Sequence, residues 1–318
     1  MITLDNATSS TDTIVADATI EQIKQFLYVA EWPARRLARA AGISPAALSQ
    51  FLSGQYKGDN AVVIQKVYSV IDREKEKLSL VKINHDFIET TASKRFFDVA
   101  NVCRLQCELG VVFADAGIGK TEAAREFASK RPDVILIEVN TAYTASVFFR
   151  KLIDKLGSGG NKRDLDTIFE DCVSRLKKTG RLIIVDEAEH LPYRALELLR
   201  ALWDQSKTGI LLSGMPKLLA NLRGYRGEYA QLFGRVGIAS RLVPLTDQDI
   251  KNIVQRQLNN PKDADLWKIF KKESAGNTRR LFKLLRRAIY LADINDGIDI
   301  TTEVVIEAST MLKIEVMS

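Results

Sequence analysis

The chain has 318 residues, 46% hydrophobic and 27% charged, which excludes a disordered protein and exceeds the size of one ordinary domain. A net charge of +6 tilts it only weakly toward anionic partners. No apolar run approaches the roughly 20 residues of a membrane-spanning helix, and polar, acidic residues 1–17 are unlike a signal peptide, so a cytoplasmic protein with no membrane partner is expected.

Residues 1–18 read as a disordered tail and residues 19–78 as a small all-α domain. Ile20, Ile23, Phe26 and Leu27 recur at helical spacing. After Trp32-Pro33 come two short helical stretches divided by Gly42. Ala38 is the small residue where helices touch, Leu48 packs inward, and Ser44-Pro45 is an N-cap followed by a helix-starting proline. This fits a helix-turn-helix whose second helix presents Ser44, Pro45, Ala46, Ser49, Gln50 and Ser53 to a major groove. Only Gln50 is a good base reader, while Arg35, Arg36, Arg39 and Lys57 meet phosphates. Binding to double-stranded DNA with weak sequence preference is expected; a small helical protein–protein module fits the same pattern. A charge-rich connector, residues 72–82, follows.

Residues 79–244 alternate β-rich and helical runs. Leu109-Gly110-Val111-Val112-Phe113, Val134-Ile135-Leu136-Ile137, Leu182-Ile183-Ile184-Val185 and Ile210-Leu211-Leu212 read as buried strands of a parallel sheet. Leu242-Val243-Pro244-Leu245 is expected to be the final strand. Residues 245–318 read as helices only. The predicted fold class is therefore α/β: a P-loop parallel-sheet domain with a helical lid, preceded by the small all-α domain.

The first strand runs into Ala114-Asp115-Ala116-Gly117-Ile118-Gly119-Lys120-Thr121 and then the helical Glu122-Ala123-Ala124-Arg125. Strand, glycine loop, Lys-Thr and helix together are the context that a Walker A motif requires. Gly117 and Gly119 let the backbone N–H groups of residues 116–122 face phosphate oxygens, helped by the positive end of the helix. Lys120 reaches the β/γ-phosphates, and the Thr121 hydroxyl can ligate Mg²⁺. Ala114 stands where the strict pattern has Gly. Further along, an apolar strand ends in Asp186-Glu187, a Walker B arrangement: Asp186 holds Mg²⁺ and Glu187 is the general base.

Two lookalikes fall away. Asp186-Glu187-Ala188-Glu189-His190 spells a helicase box, but the remaining chain is too short for a second RecA-like domain plus a lid. Asn161-Lys162-Arg163-Asp164 spells a guanine-reading motif, yet it precedes the Asp186 strand and no Mg²⁺-binding DxxG follows, so ATP is favoured over GTP.

Ser213, at a strand tip, is placed like a sensor 1 residue and equally like an ordinary strand-ending serine. Arg235 and Arg241 lie where an arginine finger would reach a neighbour's γ-phosphate, Arg235 being the first choice; each also reads as a plain surface charge. In the run Gly276-Asn277-Thr278-Arg279-Arg280-Leu281, Arg279 is the expected phosphate-facing residue of a sensor 2 helix. Lys162 and Arg163 form a basic loop suited either to DNA or to solvent. The three cysteines, Cys103, Cys107 and Cys172, and the two histidines, His85 and His190, show no metal pattern, so buried reduced thiols are expected.

The helix-turn-helix, Tyr56-Lys57-Gly58-Asp59-Asn60, the run Gly117-Ile118-Gly119-Lys120-Thr121-Glu122-Ala123-Ala124-Arg125-Glu126 and Asp186-Glu187-Ala188-Glu189-His190-Leu191 together resemble the phage Mu B transposition protein (MuB) family from about Thr19 to the lid. The resemblance implies an AAA+ ATPase that polymerises on DNA with ATP, as a helical filament or ring. It further implies capture of target DNA, stimulation of a transposase, and removal by hydrolysis; TnsC-type regulators work in a related way. By the same resemblance Lys162 and Arg163 belong to a DNA-facing segment, and Ser213-Gly214-Met215 stands where the family often has Asn. A helicase loader or replication initiator, and an ATP-liganded helix-turn-helix regulator without significant hydrolysis, are the alternative readings.

Overall fold

The computed structural model describes residues 8–80, 86–157, 164–224, 234–259, 261–295 and 297–312, with backbone only for 8–18 and 75–80. Two compact units divide the chain, residues Met1–Lys82 and Ile83–Ser318.

The first unit contains α1 (Thr8–Val29), α2 (Ala34–Ala40), α3 (Pro45–Leu52) and α4 (Asn60–Leu80). Ser44 caps α3 by accepting the Ala47 N–H at 3.1 Å, and Gly42 takes φ +64° in the turn before it. Ile23, Leu37, Ala38, Leu48, Phe51 and Val67 form the core. Two boundaries differ from the sequence reading. α1 begins at Thr8, inside the stretch expected to be a disordered tail, because residues 14–18 extend the apolar-periodic pattern backward with helix-compatible residues. α4 runs to Leu80 through the expected connector: residues 72–77 alternate Glu or Asp with Lys or Arg, mostly good helix formers with opposite charges three residues apart.

The second unit is built on a five-stranded sheet, all neighbours parallel, in the order β2-β3-β4-β1-β5. The strands are β1 (Leu109–Phe113), β2 (Val134–Glu138), β3 (Leu182–Asp186), β4 (Gly209–Gly214) and β5 (Val236–Arg241). Side chains alternate between faces, so each strand feeds two helical layers. Val111, Ile183, Val185, Ile210 and Leu212 pack under α7 (Ala145–Lys155), α8 (Leu165–Leu176) and α9 (Tyr193–Ser206). Val112, Leu182, Ile184 and Leu211 pack against α5 (Thr91–Gln106) and α6 (Lys120–Ser129) on the other side.

The final strand is not where the apolar run suggested. β5 ends at Arg241, and the predicted 242–245 lies beyond it, although the Leu242 N–H still donates to Phe113 O at 3.0 Å. Among the described residues β5 pairs only with β1, and Gly237 and Ala239 are exposed on it. An edge strand with an open face has no need of the continuous apolar pattern that marked the other four.

After the short helix α10 (Lys217–Arg223) and β5, the lid contains α11 (Asp247–Gln257), α12 (Leu266–Ser274), α13 (Thr278–Ile294) and α14 (Thr302–Thr310), packed around Ile250, Ile253, Phe270, Leu281, Leu285 and Val305. Asp249 ties this bundle to α5. Its Oδ2 accepts from the Thr246 N–H (2.9 Å) and hydroxyl (2.8 Å), and its Oδ1 from the Thr91 N–H (2.9 Å) and hydroxyl (3.2 Å). Burial pushes the Asp249 carboxyl up, but the hydrogen bonds from Thr246 and Thr91 outweigh it and hold it below the ordinary value of 3.8. This stabilisation is therefore complete above that value and is lost as the pH falls through the lowered one. Asp249→Ala is expected to destabilise the unit by about 3 kcal/mol, the scale for losing hydrogen bonds to a buried charge, measurable by urea unfolding near neutral pH.

Among the described residues, no helix is long and apolar enough to cross a membrane and no cluster of His, Cys, Asp or Glu could hold a metal ion by itself. Cys103 and Cys172 are buried, which pushes both thiols up to about 12. Cys107 is only half-buried, because it ends α5 in a left-handed conformation (φ +54°) and does not share the helix's inner face.

Candidate nucleotide site

The carboxyl ends of β1, β3 and β4 lie side by side, and each delivers one part of a single site. β1 leads into the loop 114–119. Gly117 and Gly119 take φ +83° and +100°, a region that side chains rarely occupy, and Gly119 caps α6. Lys120 opens that helix, and its Nζ donates to Ala114 O (2.7 Å) and Asp115 O (3.1 Å), closing the loop on itself.

β3 delivers Asp186, 1% exposed. Its Oδ2 accepts from the Thr121 hydroxyl at 2.6 Å and its Oδ1 from the Ser213 hydroxyl at 2.7 Å. Ser213 comes from the end of β4 and is fully buried. Three strands therefore converge on one carboxylate, and the Ser213 side chain points into the site.

Burial depresses the Lys120 pKa; the carboxylates of Asp186, Glu189 and Asp115 pull it back up, and the Arg279 guanidinium pushes it down further. Two cations, Lys120 and Arg279, thus face one small region, an arrangement that a polyanion stabilises. The start of α13 lies against the loop: the Arg279 N–H donates to Gly117 O at 3.0 Å.

Glu187 follows Asp186 with φ +55°, an uncommon conformation for a non-glycine residue. Its exposed carboxylate lies 3.9 Å from His190 Nε2. Ala116 offers its carbonyl oxygen to Asn277, Ile118 is buried, and Glu122 sits in the first turn of α6, paired with Arg125 at 2.9 Å.

The two arginines separate. Arg241 ends β5 opposite Phe113, at the nucleotide end of the sheet, 3.8 Å from Asp115 of the same chain. Arg235 precedes β5 at the opposite end, 3.9 Å from Asp204. Six residue steps along the chain part them, roughly 20 Å at the rise of a β-strand. Phe233, Lys162 and Arg163 lie outside the described residues. In the first unit Arg35, Arg36, Arg39, Ser49, Gln50 and Lys57 are all exposed, with the Arg36 guanidinium stacked 3.8 Å from the Trp32 ring centre.

Sequence reasoning passed over two residues. The Glu189 carboxylate acts on Lys120, and its Oε2 is buried without a hydrogen-bond partner, lying where a Cβ on Gly214 would be 2.3 Å away. Asn277 caps α13 and reaches the phosphate loop. A helix start after Gly276 signals the cap; nothing in the sequence signals the reach.

The family described as "AAA domain" matches residues 103–222. The chain is 30% identical over 240 residues to the DNA transposition protein B of a Mu-like prophage in Haemophilus influenzae, covering 74% of this chain and 84% of that protein. It is also 30% identical to the ATP-dependent target DNA activator B of Escherichia phage Mu, covering 73% and 75%. Among solved structures, the ORC2 protein of Aeropyrum pernix in ADPNP-ADP complexes superposes with a TM-score of 0.56 over 72% of this chain and 71% of that one, at 15% identity, a likeness of fold alone. The α/β unit is an AAA+ domain with its parallel sheet and helices.

Proposed function

Because the chain belongs to the Mu family of B transposition proteins, we propose that it is an ATPase that assembles on target DNA and presents that DNA to a transposase. The observation that carries this is the convergence of Lys120, Thr121, Asp186 and Ser213 on one point at the sheet's end, with Arg279 facing it. In this reading the N–H groups of the 116–122 loop and helix end cradle the phosphates, and Lys120 neutralises the β/γ-phosphates. Mg²⁺ fits the donor set: the Thr121 hydroxyl and Asp186 carboxylate are hard oxygens 2.6 Å apart, and Mg²⁺ is ordinarily held by one or two carboxylates plus substrate phosphates. When bound, it neutralises charge on the β- and γ-phosphates. Ser213 orients Asp186, and Glu187 takes the proton of the attacking water.

Arg235 is the residue that serves a neighbour. Standing at the far end of β5, it is out of reach of its own site, so a role in phosphate chemistry requires a second copy. Arg241, beside its own Asp115, works in cis. Hydrolysis in such an assembly times release from DNA and lets the transposase carry out strand transfer.

In the first unit, α2 and α3 form a helix-turn-helix that meets DNA through Arg35, Arg36 and Lys57, with Ser49 and Gln50 toward the bases; Lys162 and Arg163 add further positive charge toward the phosphates. Since phosphate contacts dominate, DNA affinity with ATP present should fall steeply and linearly on a log–log plot against salt, and hardly vary between unrelated duplexes. Fluorescence anisotropy at several salt concentrations measures both. One strongly preferred duplex, with salt-insensitive binding, would favour a sequence-specific regulator instead.

A further inference from the structure

Three consecutive carbonyl oxygens of the phosphate loop are held from the lid side. Asn277 Nδ2 donates to Ala116 O at 2.8 Å, the Arg279 N–H to Gly117 O at 3.0 Å, and the Thr278 hydroxyl to Ile118 O at 3.2 Å. Each peptide unit carries its C=O and N–H on opposite edges of one plane. The three held carbonyls belong to the peptide units whose N–H groups are those of Gly117, Ile118 and Gly119, in the stretch that a phosphate nest requires. Fixing the carbonyl edge therefore fixes the direction of the N–H edge. A hydrogen bond accepted by a peptide oxygen also polarises that peptide's N–H into a better donor.

The geometry points to Asn277 and Thr278 as positioning residues that pre-form the phosphate-binding nest from the lid, separately from any contact that the Arg279 side chain makes with phosphate. The packing is close. A Cβ at Gly117 would lie 2.5 Å from Asn277 Oδ1, so the loop's first glycine admits the lid as well as turning the chain. Asn277 has two tasks at once: its Oδ1 accepts the Arg280 N–H at 3.0 Å and caps α13, while its Nδ2 holds the loop. Loop and lid are bound through backbone geometry, so nucleotide occupancy and lid placement are one equilibrium.

This inference rests on the ATP-site reading, and the two tasks of Asn277 can be separated. Serine caps a helix as well as asparagine does but is too short to reach Ala116 O. Asn277→Ser should keep the melting temperature close to that of the unaltered protein, yet bind ADP and ATP about fivefold more weakly, the worth of one ordinary hydrogen bond. Thr278→Val, which removes the second side-chain bond at constant volume, should act the same way, and the double variant should lose at least tenfold. Amide exchange at Gly117, Ile118 and Gly119 in the nucleotide-free protein should speed up in each. Arg279→Ala should instead weaken ATP more than ADP and leave the exchange rates of those amides unchanged. If Asn277→Ser and Thr278→Val bind both nucleotides as tightly as the unaltered protein, with unchanged exchange, Asn277 is a cap only and the inference is overturned. Failure of the unaltered protein to bind either nucleotide would instead overturn the ATP-site reading itself.

Discussion

Lys120→Ala will abolish ATP-dependent assembly on DNA while leaving the protein folded. The side chain is half-buried at the start of α6, and its depressed pKa marks a charge that burial makes costly. In the nucleotide complex a polyphosphate restores that charge's solvation, and no other lysine lies in the loop or the turn after it. Removing one preorganised donor from such a site costs roughly a hundredfold or more, so ATP affinity should fall at least that far in a calorimetric titration. The two bonds that Lys120 makes within the loop are to exposed or part-buried carbonyls, and their loss should barely move the thermal transition. Lys120→Arg should not rescue binding, because a planar guanidinium cannot replace a point charge in so tight a loop. Retained ATP-dependent assembly in Lys120→Ala would place the nucleotide elsewhere.

Glu187→Gln will separate assembly from release. The amide keeps the shape of the side chain and cannot accept a proton, and a positioned general base contributes about 10²–10⁴ in rate. Turnover should therefore fall by about a hundredfold or more, measured as phosphate release, while ATP affinity stays within about twofold of the unaltered protein, since ordinary isosteric changes outside the phosphate nest cost little. Complexes on DNA should outlast those of the unaltered protein after dilution. Glu187 is chosen over Glu189 for its position. It directly follows Asp186 in an uncommon left-handed conformation and is open to solvent, whereas Glu189 is turned over Gly214. Such backbone conformations persist where the surrounding structure holds them and cluster at working sites. An unchanged rate in Glu187→Gln, with loss in Glu189→Gln, would move the base two residues along, to Glu189.

What could be read from the sequence follows from burial. β1 to β4 lie between two helical layers, so all of them carry near-continuous apolar runs, and the Walker residues sit at their ends where strand-to-helix turns are constrained. β5, open on one face, carries no such run, so its position was not legible from apolar patterning. Helix ends misled in another way: residues 72–77 are all charged, which suggested a connector, yet their spacing suits a helix equally well. Thr121, Asp186 and Ser213 were each legible from a strand end, but their shared carboxylate was not. That contact, like the grip of Asn277 on Ala116, joins residues distant in sequence and depends on how strands and lid stack.

Electron microscopy of the protein with a long duplex, with and without ATP, tests the central claim most directly. The account predicts helical filaments only when ATP is present, with Arg235 of each subunit at the γ-phosphate held by its neighbour's Lys120 and Thr121. Isolated monomers on the duplex, or assemblies indifferent to nucleotide with Arg235 still beside Asp204, would contradict it.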